Sequence, residues 1–107
     1  MTESHRIHSL AEGRAAIKAT AETAVCLESP AAAAGFQGIA WWQALLASLA
    51  EEFPDRRITG VLDCGNAPGH ALAALRAGLG CVRVQAPPEA LTSLTHIAKA
   101  LNATLKA

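Results

Sequence analysis

The stretch Ile58-Thr-Gly-Val-Leu-Asp-Cys-Gly-Asn-Ala-Pro-Gly-His70 decides how the chain is read. An apolar run stops at Asp63, passes through Gly65 and Asn66, and gives way to an alanine-rich amphipathic pattern. That succession describes a buried parallel strand, a tight turn and the N-terminus of a helix. Pro68 suits the first helical position, where its missing N–H leaves no bond unmade. In α/β proteins such junctions carry the groups that meet ligands.

Outward from this stretch the same unit repeats. Upstream, Ile39, Trp42, Leu46, Leu49 and Phe53 recur at spacings of three, four, three and four, which makes one apolar helical stripe. Pro54 ends it. Trp41 lies about 100° round from Trp42, next to Leu45, and is a candidate for a subunit contact. Before that helix, residues 31–38 read as a connection with one turn of helix, because Gly35 and Gly38 interrupt the alanine run. Ala24–Glu28 is a short apolar strand ended by Ser29-Pro30, and Arg6-Ile7-His8 is a weaker one. Between them, Ser9 and Glu12 match a capping box that opens a helix over 10–21. Downstream, the third helix runs over 68–79 and the strand Cys81–Gln85 follows. From Pro88 a last helix is expected, with Leu91, Leu94, Ala98, Leu101 and Leu105 as its stripe.

The pattern predicts a single α/β domain over 1–107, with residues 1–5 disordered and the rest a (βα)4 series. Parallel strands need such crossovers, nearly always right-handed. Two arrangements satisfy them. One is a small open parallel sheet in the order 2-1-3-4 with helices on both faces, flavodoxin-like. The other is a half-barrel in the order 1-2-3-4. The open sheet is favoured here, on the argument that a half-barrel would leave an apolar inner face wet.

Composition narrows the function classes. Net charge is zero and only Arg56-Arg57 are adjacent cations, so the basic footprint of a nucleic-acid binder is missing. No charge-free apolar run reaches membrane-spanning length, and no secretory signal opens the chain. Alanine fills 25 of 107 positions and there is no Tyr, so packing must rest on close backbone approach. Cys26, Cys64 and Cys81 show no CxxC spacing and are odd in number, which argues against a disulfide framework or structural zinc and for a cytoplasmic setting. Cys26 and Cys81 read as small buried hydrophobes. No metal and no cofactor is expected; His5, His8, His70 and His96 have no ligand spacing, and His96 should face solvent.

Polar residues gather at the C-terminal ends of the strands: His8 and Ser9, Glu28 and Ser29, Asp63, Cys64 and Asn66, then Gln85. His8, Ser9, Glu28, Asp63, Asn66 and Gln85 are therefore the candidate ligand-binding residues, for a small anionic metabolite. Asp63, Cys64 and His70 are the candidate catalytic ones. Asp63 could serve as a general base or accept backbone hydrogen bonds from the turn at 65–67. Cys64 beside a helix N-terminus could have a lowered thiol pKa, with His70 as its partner. Alternation sends Asp63 and Cys64 to opposite faces of the sheet. The glycines at 65 and 69 match neither GxGxxG nor GxxxxGK[ST], so no nucleotide fingerprint is present.

The run from Leu62 to Leu79 resembles that of small uncharacterised bacterial α/β proteins of about this length, a likeness that implies no catalytic role. The run from Ala71 to Gln85 is similar to one helix–Gly–strand unit of (βα)8-barrel aldolases and phosphoribosyltransferases. Aldolase chemistry would need a Schiff-base lysine at a strand end, whereas Lys18, Lys99 and Lys106 all fall in helical patterns. Response-regulator receivers also place an Asp after the third strand, but the acidic pair and the lysine they require are absent. The expectation is a cytoplasmic, homo-oligomeric module that binds a small anion, with a lyase- or isomerase-like enzyme using Asp63 as base as the alternative.

Overall fold

The computed structural model describes residues 4–107. Its ten elements are β1 (Ser4–Arg6), α1 (Leu10–Ala19), β2 (Ala24–Glu28), α2 (Ala33–Phe36), α3 (Ile39–Glu52), β3 (Arg57–Asp63), α4 (Pro68–Arg76), β4 (Cys81–Arg83), α5 (Pro88–Ala100) and β5 (Thr104–Lys106). Of the segment expected to be disordered, residues 1–3 lie outside the described ones, and Ser4 and His5 belong to β1.

All strands are parallel and lie in the order β1-β2-β3-β4-β5. The expected order 2-1-3-4 is therefore corrected, and so is the plain four-unit series. The second connection carries two helices, α2 and α3, and a fifth strand closes the row. Each crossover steps one strand in the same direction, and crossovers of one hand then leave every helix on the same side. The core shows this. One apolar cluster takes Ile17 from α1, Ala33 from α2, Trp42 and Leu49 from α3, Ala74 and Leu75 from α4, and Leu94 from α5. From the strands it takes Val25, Leu27, Leu62 and Val82, all of one parity. Helices on both faces are thus also corrected.

The fifth strand was hidden inside an apparent helical stripe. Leu101 and Leu105 continue the spacing of Leu94 and Ala98, but α5 ends at Ala100. Asn102 then turns left-handed at φ 57°, Ala103 N–H donates to Ala98 O at 2.8 Å and Asn102 N–H to Lys99 O at 3.2 Å. Those two bonds are a Schellman closure, with asparagine where glycine is commonest. The same closure ends α4: Gly78 has φ 96°, and Leu79 N–H donates to Ala74 O at 3.1 Å. Lys106, expected in a helix, consequently stands in β5 opposite Arg83.

Helix α3 sits unusually close to β3. A Cβ on Gly60 would lie 2.6 Å from Leu46 Cδ1 and 3.0 Å from Trp42 Cζ2. Glycine at this strand position lets a tryptophan-bearing helix lie against the sheet, the close approach that an alanine-rich core requires. No helix among the described residues is long and apolar enough to cross a membrane.

Candidate functional site

Parallel register partners share a face, so pairing assigns every strand residue to a side. With β3 as reference, Ile58, Gly60 and Leu62 face the helices. Arg57, Thr59, Val61 and Asp63 face away. Pairing places Ser4, Arg6, Cys26, Glu28, Cys81, Arg83, Thr104 and Lys106 with them. Among the described residues no helix packs on this second side. Its C-terminal half carries charge: Arg6, Glu28, Asp63, Arg83 and Lys106 come from five successive strands.

These charges are linked. Arg83 Nη1 lies 2.6 Å from Glu28 Oε1. Because β3 runs between β2 and β4, this pair straps across it. Val61 underneath is only 2% exposed although it belongs to no helix-side cluster. Arg6 Nη2 stands 3.9 Å from Glu28 Oε2 and 3.8 Å from Asp63 Oδ2. Glu28 thus bridges the two guanidinium groups, one on each carboxylate oxygen, and Asp63 adds a second contact to Arg6.

Asp63 also fixes the loops above the strands. Its Oδ1 accepts the N–H of Ala32 at 3.0 Å and of Gly65 at 2.8 Å. Ala32 has φ 55° and Gly65 φ 58°, and a Cβ on Gly65 would meet the Ala32 Cβ at 3.0 Å. One carboxylate oxygen therefore pins two left-handed turns, from two different connections, against each other. Ser29, fully buried, completes the joint: its Oγ accepts the Asp63 N–H at 2.9 Å and donates to Pro30 O at 3.0 Å. The joint borders a pocket of about 240 Å³, lined among others by Ala32, Asp63, Gly65, Arg83 and Gln85.

Of the sequence candidates, Glu28, Asp63 and Gln85 come together at this rim. Gln85 is exposed and its N–H is held by Gly65 O at 2.7 Å. His8 instead pairs with Glu12 within its own segment at 3.2 Å, and Ser9 caps α1 by accepting the Glu12 N–H. Asn66 is exposed, and among the described residues its side chain has no hydrogen-bond partner. His70 is exposed, its ring close to the backbone of Gly35 on α2. Cys64 is 2% exposed, among the helix-side core. Burial, and next the Asp63 charge, push its thiol up to about 11. The expected lowering by the helix dipole is thus corrected: the thiol lies in the core, where the charged form is disfavoured. Cys26 and Cys81 are half-buried on the open face and not in the core. Burial raises the Cys81 thiol, against an opposing pull from Lys106.

Arg6 and Arg83 went unnoticed in the sequence. The available signal was parity: in the first four strands the charged residue alternates with core residues, so Arg6, Glu28, Asp63 and Arg83 fall on one side once those strands pair in register. Among the described residues, no group of three or more His, Cys, Asp or Glu side chains is placed to hold a metal ion. Compared with models of known families the chain matches none, and no curated protein matches it.

Proposed function

We propose that the protein is a cytoplasmic, homo-oligomeric module that binds a small anion at the C-terminal rim of its open sheet face. The observation that carries this reading is Arg83. Glu28 holds one end of its guanidinium at 2.6 Å, and the residue lines the rim pocket. A fork with five N–H donors, fixed at one nitrogen, has donors left for a carboxylate or phosphate. Gln85 adds an amide at the same pocket. On the whole face, Arg6, Arg57, Arg83 and Lys106 stand against Glu28 and Asp63, a balance of four cations to two anions.

A lyase or isomerase with Asp63 as base draws less support. Oδ1 already accepts two backbone N–H groups and Oδ2 faces Arg6. Self-association fits the bare sheet face, since all-parallel sheets are normally covered on both sides. It also fits Trp41, which stays half-buried beside Leu10 and Ala44 on the outer surface of the helix layer.

Titration calorimetry with inorganic phosphate and with succinate tests the rim. Binding that weakens at least about tenfold in Arg83→Gln, roughly the 1.4 kcal/mol of one charge-assisted bond, supports the proposal. Equal affinity of the variant, or no heat from either anion at millimolar concentration, rejects it.

A further inference from the structure

A second cavity lies at the opposite end of the strands. β3 and β4 pair only through Leu62–Val82 and Asp63–Arg83. Toward its N-terminus β3 continues to Arg57 while the α4–β4 turn, Gly78–Gly80, diverges from it. The gap is a slot of about 590 Å³, within the range of small-molecule sites. Its helix-side floor is Leu46 and Gln43 from α3, and Gln43 Nε2 donates to Ala77 O at 2.9 Å, tying the floor to the end of α4.

Three features of the slot select a ligand. Ile58, Val61, Leu79 and the half-buried Cys26 and Cys81 give it an apolar body. Peptide groups along a strand alternate in direction. Val61 O accepts from β2, and Cys64 N–H donates toward β4. The peptide groups of Ile58 and Gly60 therefore point into the slot, where β3 has no strand partner. Such groups call for hydrogen-bonding partners. Lys106, from the C-terminal end of β5, also lines the slot. Arg6 and Arg83 each have a carboxylate within 4 Å, but among the described residues Lys106 has none.

We propose that this slot binds an apolar monocarboxylate that carries an amide, such as an N-acylated apolar amino acid. The acyl chain and side chain fill the aliphatic body, the amide pairs with the free edge at Ile58–Gly60, and the carboxylate meets the Lys106 ammonium. Lys106 also counts toward the positive balance of the open face, but neither Arg83 nor Gln85, which carry the rim reading, lines the slot.

The test uses N-hexanoyl-leucine as probe, read by calorimetry and by the rate at which Ellman's reagent modifies the thiols. Cys26 and Cys81 line the slot, so saturating probe should slow their modification at least about fivefold. Lys106→Gln, an exposed position, should weaken binding about tenfold, and so should replacing the probe by its methyl ester. Glu89→Gln, exposed and outside the slot's lining, should leave both readouts unchanged. The proposal is overturned if 1 mM probe gives neither heat nor protection, or if Lys106→Gln binds as tightly as the parent. Octanoate binding as tightly as the probe would also overturn it, since that acid lacks the amide.

Discussion

Asp63 holds two backbone turns with one oxygen, and this predicts how its variants behave. Asp63→Ala leaves the N–H groups of Ala32 and Gly65 without an acceptor in a half-buried joint. The cost of one such orphaned donor is about 1–3 kcal/mol, which in a domain of this size lowers the melting temperature by roughly 5–15 °C. Asp63→Asn keeps an acceptor oxygen and should recover most of that loss in a calorimetric melt. Equal melting temperatures for the two variants would mean that the carboxylate's charge, not its position, does the holding. Cys64 carries a second prediction. Its folded pKa of about 11 lies above the 9.0 of an unperturbed thiol. Between those values the folded chain keeps a proton that the unfolded chain has released. Stability is then complete below pH 9 and is lost as pH rises through 11. At about 1.4 kcal/mol per pKa unit, urea melts at pH 8 and pH 11 should differ by roughly 2 kcal/mol from this group. Cys64→Ala should remove most of that difference; a slope unchanged by the substitution would reassign it to other groups.

At the scale of elements, the close contact of α3 with β3 makes Gly60 sensitive. Gly60→Ala drives a methyl into Leu46 and Trp42 at 2.6–3.0 Å, and overpacking of this kind costs about 1–3 kcal/mol. Gly69→Ala, whose Cβ would meet nothing within 4 Å, is the matched control and should cost far less in the same melt. The elements themselves were largely legible. Ala24–Glu28 was readable to the residue, because Pro30 and Glu28 end a run that charge and ring geometry forbid to continue. The stripe of α3 and its stop before Pro54 were equally plain. The last seven residues were not, because leucines at 101 and 105 satisfy helical spacing and asparagine at a helix end is an ambiguous stop. Its left-handed turn at 102 depends on the two bonds back to α5. The candidate site was half legible for a related reason. Glu28, Asp63 and Gln85 sit at strand ends, where polar residues announce themselves. Arg6, Arg83 and Lys106 point outward from within strands, and their meeting depends on which strands are neighbours.

Neighbour order is a property of the whole molecule, and local sequence constrains it weakly. The half-barrel order is disfavoured only if its inner face is apolar. In fact the residues on that side include Arg6, Glu28, Arg57, Thr59, Asp63, Arg83, Thr104 and Lys106, which tolerate water, and an ion pair shields Val61. A face of this kind can stand open, meet a second copy, or hold an anion at its rim. If self-association runs through the helix layer at Trp41, sedimentation should show particles of two or more chains that Trp41→Glu reduces to one. A mass unaffected by that substitution would move the contact elsewhere. Every such reading rests on the strands following one another in order across the sheet. Cross-strand nuclear Overhauser effects test this most directly. The order described here predicts backbone contacts from Cys26 and Leu27 to Thr59 and Gly60 and none between β1 and β3. Contacts from Ser4–Arg6 to β3, with β2 left at the edge, would contradict it.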